Sequence, residues 1–210
     1  TITSSSSSSG VASTFVFTSA NETINAMTAS MQTADSLLDL TATGDNDVMA
    51  ITASAAMNAI TAANIETVNV NFAAGTPTAV FTNFSGLDTV NVAGTVAGTV
   101  TDATDAGATS VSITDMTRVI TINDSTGLGG TATTADAETL SLTVSGLSHG
   151  STTATQSGIT LTAANTGANE TLEVLNITSA GTVANDFTLN AADADVTLAT
   201  VNLLGDVDLT

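Results

Sequence analysis

Cysteine, lysine, tryptophan and tyrosine are all absent from this chain of 210 residues. Histidine, arginine and proline occur once each, as His149, Arg118 and Pro77. Each absence closes off a class of behaviour. Without cysteine there is no disulfide, so a secreted chain of this kind must draw rigidity from repeats or from bound calcium. A single base stands against 20 acids, for a net charge of -19. Nucleic-acid binding, which needs Lys and Arg to neutralise phosphates, is excluded, and so is an anionic membrane surface. With one His and no Cys, Lys or Tyr, most nucleophiles and proton carriers are missing, which leaves carboxylates and hydroxyls. The reading is therefore that the chain is not an enzyme. Ser148-His149-Gly150 reads as an exposed polar loop, and nothing positions a Ser/His/Asp triad. A polysaccharide-degrading β-helix could work with paired carboxylates, but it would grip sugar with aromatic and basic side chains that this chain nearly lacks. No apolar run reaches the length of about 18 residues that a membrane span needs. No basic-then-apolar leader opens the chain. Export by another route, or an internal piece of a longer protein, is expected. The close on Asp206-Val207-Asp208-Leu209-Thr210, in mid-strand pattern, favours the piece.

What is present is small, apolar and repetitive. Hydrophobic residues make up 42% of the chain, and 6 Phe are the only aromatics. Thr, Ala and Val dominate, which suits the thin, regular core of a solenoid better than a wide globular one. Disorder, the usual consequence of high net charge, is opposed by that apolar content. The recurring unit is Ile65-Glu66-Thr67-Val68-Asn69-Val70. It returns as Leu87-Asp88-Thr89-Val90-Asn91-Val92, as Ala137-Glu138-Thr139-Leu140-Ser141-Leu142 and as Asn169-Glu170-Thr171-Leu172-Glu173-Val174. A worn copy is Leu198-Ala199-Thr200-Val201-Asn202-Leu203, and Asn21-Glu22-Thr23-Ile24 is a truncated one. An acid opens each full copy, then polar and apolar residues alternate with the period of a half-buried strand. The alternation predicts Val68, Val70, Val90, Val92, Leu140, Leu142, Leu172 and Val174 inside, with Asn69, Asn91 and Ser141 outside or laddered.

A serine run, Ser4 to Ser9, makes residues 1–13 a linker-like start. Residues 14–210 read as one β-solenoid segment. Thr14 to Phe17, Ser36 to Leu40, Val48 to Thr52, Val111 to Thr114 and Val119 to Ile122 are further strands. In residues 20–34 helical spacing competes with strand phrasing, and a loop or short strand is preferred. The Ala-rich stretch 53–63 has room for a short helix. Glu66 and Asp88 stand 22 positions apart, and no Asn-Gly or Asp-Gly hairpin joins adjacent runs. Parallel strands need long crossovers. The fold expected is all-β, a parallel β-solenoid (β-helix) of roughly nine coils, with a β-sandwich as the alternative.

Between residues 14 and 72, Asn21-Glu22-Thr23-Ile24-Asn25-Ala26 leads to Ala34-Asp35-Ser36-Leu37. Thr43-Gly44-Asp45-Asn46-Asp47-Val48 follows, then Asn64-Ile65-Glu66-Thr67-Val68-Asn69-Val70. This order resembles the surface-layer (S-layer) proteins of Gram-negative bacteria that leave by type I secretion, which are similar to repeats-in-toxin proteins. There a degenerate calcium-binding repeat precedes a strand of this kind, and Thr/Ala/Val/Gly-rich coils follow. Gly44 stands alone where that family's nonapeptide pairs glycines. The resemblance implies an extracellular, lattice-forming structural protein of the bacterial cell surface that uses calcium.

The residues themselves also point to a hard cation. Asp45 and Asp47 flank a tight turn and offer oxygen ligands, which calcium takes six to eight at a time. Asn21, Glu22, Asp35 and Asp39 would complete such a site if neighbouring coils stack. Asp193 and Asp195 repeat the Asp-x-Asp spacing, as do Asp206 and Asp208. In a strand that spacing places both carboxylates on one face. The alternative for each cluster is a solvated acidic turn. The function expected is a building unit of a secreted, calcium-dependent, self-assembling array, with cell-surface polysaccharide as a partner through a region outside this chain. An adhesin or biofilm-matrix solenoid is the alternative.

Overall fold

The computed structural model describes residues 14–40, 45–103, 108–116, 118–124, 138–147, 158–163, 172–191 and 198–209. The linker-like start, His149, and the expected cation ligands Asp193 and Asp195 lie outside the described residues.

The chain winds through β1 (Thr14–Val16), β2 (Thr23–Met27), a single 3-10 turn (Thr28–Ser30), β3 (Ser36–Leu38), β4 (Val48–Ala53), β5 (Thr61–Ala63) and β6 (Thr67–Phe72). It continues through β7 (Thr78–Val80), β8 (Phe84–Ser85), β9 (Thr89–Gly94), β10 (Gly98–Thr101), β11 (Ser110–Thr114) and β12 (Val119–Asp124). The last turns hold β13 (Glu138–Ser145), β14 (Gly158–Ala163), β15 (Leu172–Ala180), β16 (Thr188–Ala191) and β17 (Thr200–Gly205). No α-helix occurs among the described residues, and the Ala-rich stretch 53–63 ends in β5 instead. Its apolar residues are drawn inward by the coils on either side, and Met57, Ile60 and Ala62 are all buried.

These strands form three sheets, and within each every pairing is parallel. An eight-stranded sheet runs β2-β4-β6-β9-β11-β13-β15-β17 along the whole stack. A four-stranded sheet, β1-β3-β5-β8, serves the early coils, and a five-stranded sheet, β7-β10-β12-β14-β16, serves the later ones. Successive members of the long sheet belong to successive coils, so this is a parallel β-solenoid. Eight coils stack in the long sheet rather than nine, because the later coils are longer. The step is 22 residues from Thr67 to Thr89 but 31 from Ser110 to Ser141.

Register makes the core a set of columns. Ile24, Met49, Val68, Val90, Val111, Leu142 and Ile177 stack in one, and all are buried. Ile51, Val70, Val92, Ile113 and Val144 stack in the next. Phe72 and Phe81 are the largest fully buried side chains in this thin core, and the next coil makes room for Phe72. A Cβ at Gly98 would lie 2.6 Å from the Phe72 ring. Buried Asn185 ties the last coils together: its Oδ1 accepts from Leu147 N–H at 3.0 Å, and its Nδ2 donates to Ser179 Oγ and the Ala180 carbonyl, both at 2.9 Å.

Two details depart from the sequence pattern. The copy in β13 slides by two residues, so that Leu142 rather than Leu140 continues the Val68–Val90 column. A slip of two keeps every side chain on its own face. In β15 a bulge inserts Glu173 between the partners of Glu138 and Thr139. One extra residue flips the alternation. Leu172 is buried as expected, but Val174 is only half-buried opposite Thr139, and Leu175 is the buried residue that pairs with Leu140.

Candidate functional site

The acid that opens each phrase acquires a position once the coils stack. Thr23, Val48, Thr67 and Thr89 share one column of the long sheet. The residues just before them, Glu22, Asp47, Glu66 and Asp88, therefore follow one another up the corner where each long strand starts. They are wired through the backbone. Glu22 N–H donates to Asp47 Oδ1 at 2.8 Å, and Asp47 N–H donates to Glu66 Oε2 at 2.7 Å. Further up, Asp88 N–H donates to the Glu66 carbonyl at 2.9 Å. In the later coils this column changes character: Leu140 and Leu175 occupy it, and both are fully buried.

Asp47 is the centre of the acidic part. It is fully buried, as is nearby Asp39. Burial pushes the Asp47 carboxyl up to about 6, and the charges of Glu22, Asp39 and Asp45 push the same way, against the pull of the Glu22 N–H. Thr18 donates its hydroxyl to Glu22 Oε1. The other oxygens, Glu22 Oε2 and Asp47 Oδ2, are buried and accept no hydrogen bond among the described residues. Buried carboxylate oxygens without donors are costly, and native structures pair them or give them a metal. Asn21 braces the turn from the side, its Oδ1 accepting from Asn46 N–H at 2.9 Å, and Thr67 Oγ1 donates to Asn46 Oδ1 at 3.2 Å.

The structure thus brings Asn21, Glu22, Asp39, Asp45 and Asp47 to one corner. Asp35 stands elsewhere: its Oδ2 accepts from Gln32 N–H at 2.9 Å within its own turn. Asp206 and Asp208 lie past the end of β17, outside any strand, and both are exposed. Their side chains do not share a strand face, because the strand ends at Gly205 before either is reached. For the other pair of this spacing, Asp193 lies outside the described residues. Asp195 lies outside them too. Glu66 belongs to the corner, and the sequence reading misses it as a site residue. Its signal is present, since it is the acid of the reference phrase, but recognising it requires aligning Asp47 as the same position one coil earlier.

For a hard cation the corner is right in kind. Its oxygens are carboxylates, Glu22 Oε2 and Asp47 Oδ2 among them buried without donors, at the junction of adjacent coils. Among the described residues, no three Asp, Glu, His or Cys side chains stand together in metal-holding geometry. A cation here would rest on Glu22 and Asp47, with main-chain oxygens and water making up the number calcium requires.

No family model, curated protein or solved structure matches this chain. Among the described residues no helix is long and apolar enough to cross a membrane.

Proposed function

We propose that this chain is a structural building unit of a secreted, calcium-dependent two-dimensional array on a bacterial cell, a solenoid that performs no chemistry of its own. The observation that carries the proposal is the corner at Glu22 and Asp47: two buried carboxylate oxygens without donors, between stacked coils, in a chain of net charge -19. Like charges resist close packing of copies across any shared face. A divalent cation at that corner removes charge and orders the turn at Asp45–Asp47. Free calcium is scarce inside a cell and abundant outside, in the range that extracellular calcium modules are tuned to. Folding and assembly are thereby reserved for the exterior. The solenoid supplies a regular, rigid body, and a region beyond this chain attaches it to the cell-surface polysaccharide.

Electron microscopy of the full-length protein with calcium and with excess chelator tests the reading. Ordered arrays are expected only with calcium, with return to soluble units on chelation. Arrays that persist unchanged in chelator, together with calorimetry showing no calcium uptake, would remove calcium from the account. Failure to form arrays under any condition would remove the array itself.

A further inference from the structure

From β2 to β11 the outer face of the long sheet carries no charged residue, although the chain has 20 acids. Asn25, Asn69 and Asn91 stand in one outward column, interrupted by Ala50. Thr52 and Asn71 stand in the next, followed by Ala93. Between β2 and β11 this face lines an open trough of about 510 Å³. The trough crosses five strands, or four steps of about 4.8 Å, so it is about 19 Å long. Ala50 and Ala93 deepen its floor, and Met27, 55% exposed, forms an apolar ledge at one end.

Its hydrogen-bonding groups are amides in a repeating row. Asn91 Nδ2 donates to Asn69 Oδ1 at 2.8 Å. That bond fixes both side chains and leaves Asn69 Nδ2 and Asn91 Oδ1 without partners among the described residues. A donor and an acceptor are thus held side by side at the coil spacing, next to exposed alanine and methionine carbon. Elongated ligand sites combine apolar lining with a few placed polar groups in this way.

Charge selects the ligand. The field of a chain at -19 repels an anionic polymer. A cation is drawn to the carboxylates of the corner, not to neutral amides. A peptide strand would add to a sheet edge through its backbone, whereas this is a face built from side chains. A neutral sugar chain has what the trough complements: hydroxyls that both donate and accept around its rim, and C–H faces that meet Ala50, Ala93 and Met27 where a carbohydrate-cleaving site would place aromatic rings. We propose that the trough binds a neutral linear glycan lying along the stacking axis. The proposal is independent of calcium and of array formation.

Titration calorimetry and NMR of the full chain, in chelator, with neutral oligomers of glucose, mannose, galactose and N-acetylglucosamine test it, with polygalacturonate as the anionic comparison. At least one neutral series is expected to bind, more tightly as length increases until the trough is filled. Ala50→Trp, which blocks the floor, should weaken that binding at least about tenfold, and Asn69→Ala should weaken it about threefold. Thr160→Ala, on the five-stranded sheet, should leave it unchanged. If Ala50→Trp fails to fold, Ala93→Gln serves as the blocking variant. No binding of any neutral series at millimolar concentration, binding that survives a folded blocking variant, equal binding of polygalacturonate, or perturbation of the face by self-association of copies would each overturn the proposal.

Discussion

Asp47 has a carboxyl raised from the ordinary 3.8 to about 6, with burial as the first cause. A group that holds its proton more tightly when folded contributes stability that is fully present at low pH and is lost as pH rises through its folded value. In chelator, stability should therefore fall between about pH 4 and pH 6 and level off above that. Taken at about 1.4 kcal/mol per unit, the contribution at stake is at most about 3 kcal/mol. Asp47→Asn cannot ionise and should flatten this profile, leaving the variant more stable than the parent at pH 8 without calcium. Urea unfolding across that range, in parent and variant, measures both effects. A parent profile that matches the variant's would mean that Asp47 is solvated rather than buried. The same substitution should abolish any calcium-induced gain, because it replaces Asp47 Oδ2, a buried oxygen that lacks a donor, with an amide nitrogen that cannot bind a cation.

Among the elements, β15 is the most informative, because its bulge decides which residues are core. Leu175 is fully buried, whereas Val174 is half-buried opposite exposed Thr139. Leu175→Ala should cost about 2–5 kcal/mol, as cavity-forming truncations do. Val174→Ala should cost under about 1 kcal/mol, as surface changes do. The reverse order in denaturant unfolding would show that the phrase continues through β15 without a bulge. Gly94 illustrates the same coupling between neighbouring strands. Its φ is +146°, and a Cβ there would meet the Phe72 carbonyl oxygen at 2.3 Å. The end of β9 therefore accepts only glycine beside β6.

Over the whole molecule, eight stacked strands of the long sheet span seven steps, a rod about 34 Å long. Calcium that binds only the folded rod should raise its melting temperature, by an amount that grows with the logarithm of calcium concentration. Scanning calorimetry of this chain at rising calcium reads that slope, and a melting temperature indifferent to calcium would sink the corner as a cation site. Much of the rod was legible beforehand. Alternation of Val, Thr and Asn predicts strands and their inward faces, because a strand has a strict period of two. The absence of hairpin turns predicts parallel winding, and every pairing in the three sheets is parallel. Register was not legible. The phrases at Glu66 and Asp88 stack as written, but the phrase at Glu138 slips, and the described end of the one at Glu170, from Leu172, is broken by a bulge. A slip of two residues costs no change of face, and a bulge is settled by packing against neighbouring coils rather than by local preference. The corner was half legible for the same reason. Asp45 and Asp47 stand out as a turn, yet Glu22, Asp47 and Glu66 become neighbours only when coils separated by 25 and 19 residues are laid in register. The trough had no local signal at all, because Asn25, Asn69 and Asn91 form a row only across strands, and alternation alone says that they point outward, not what they face together.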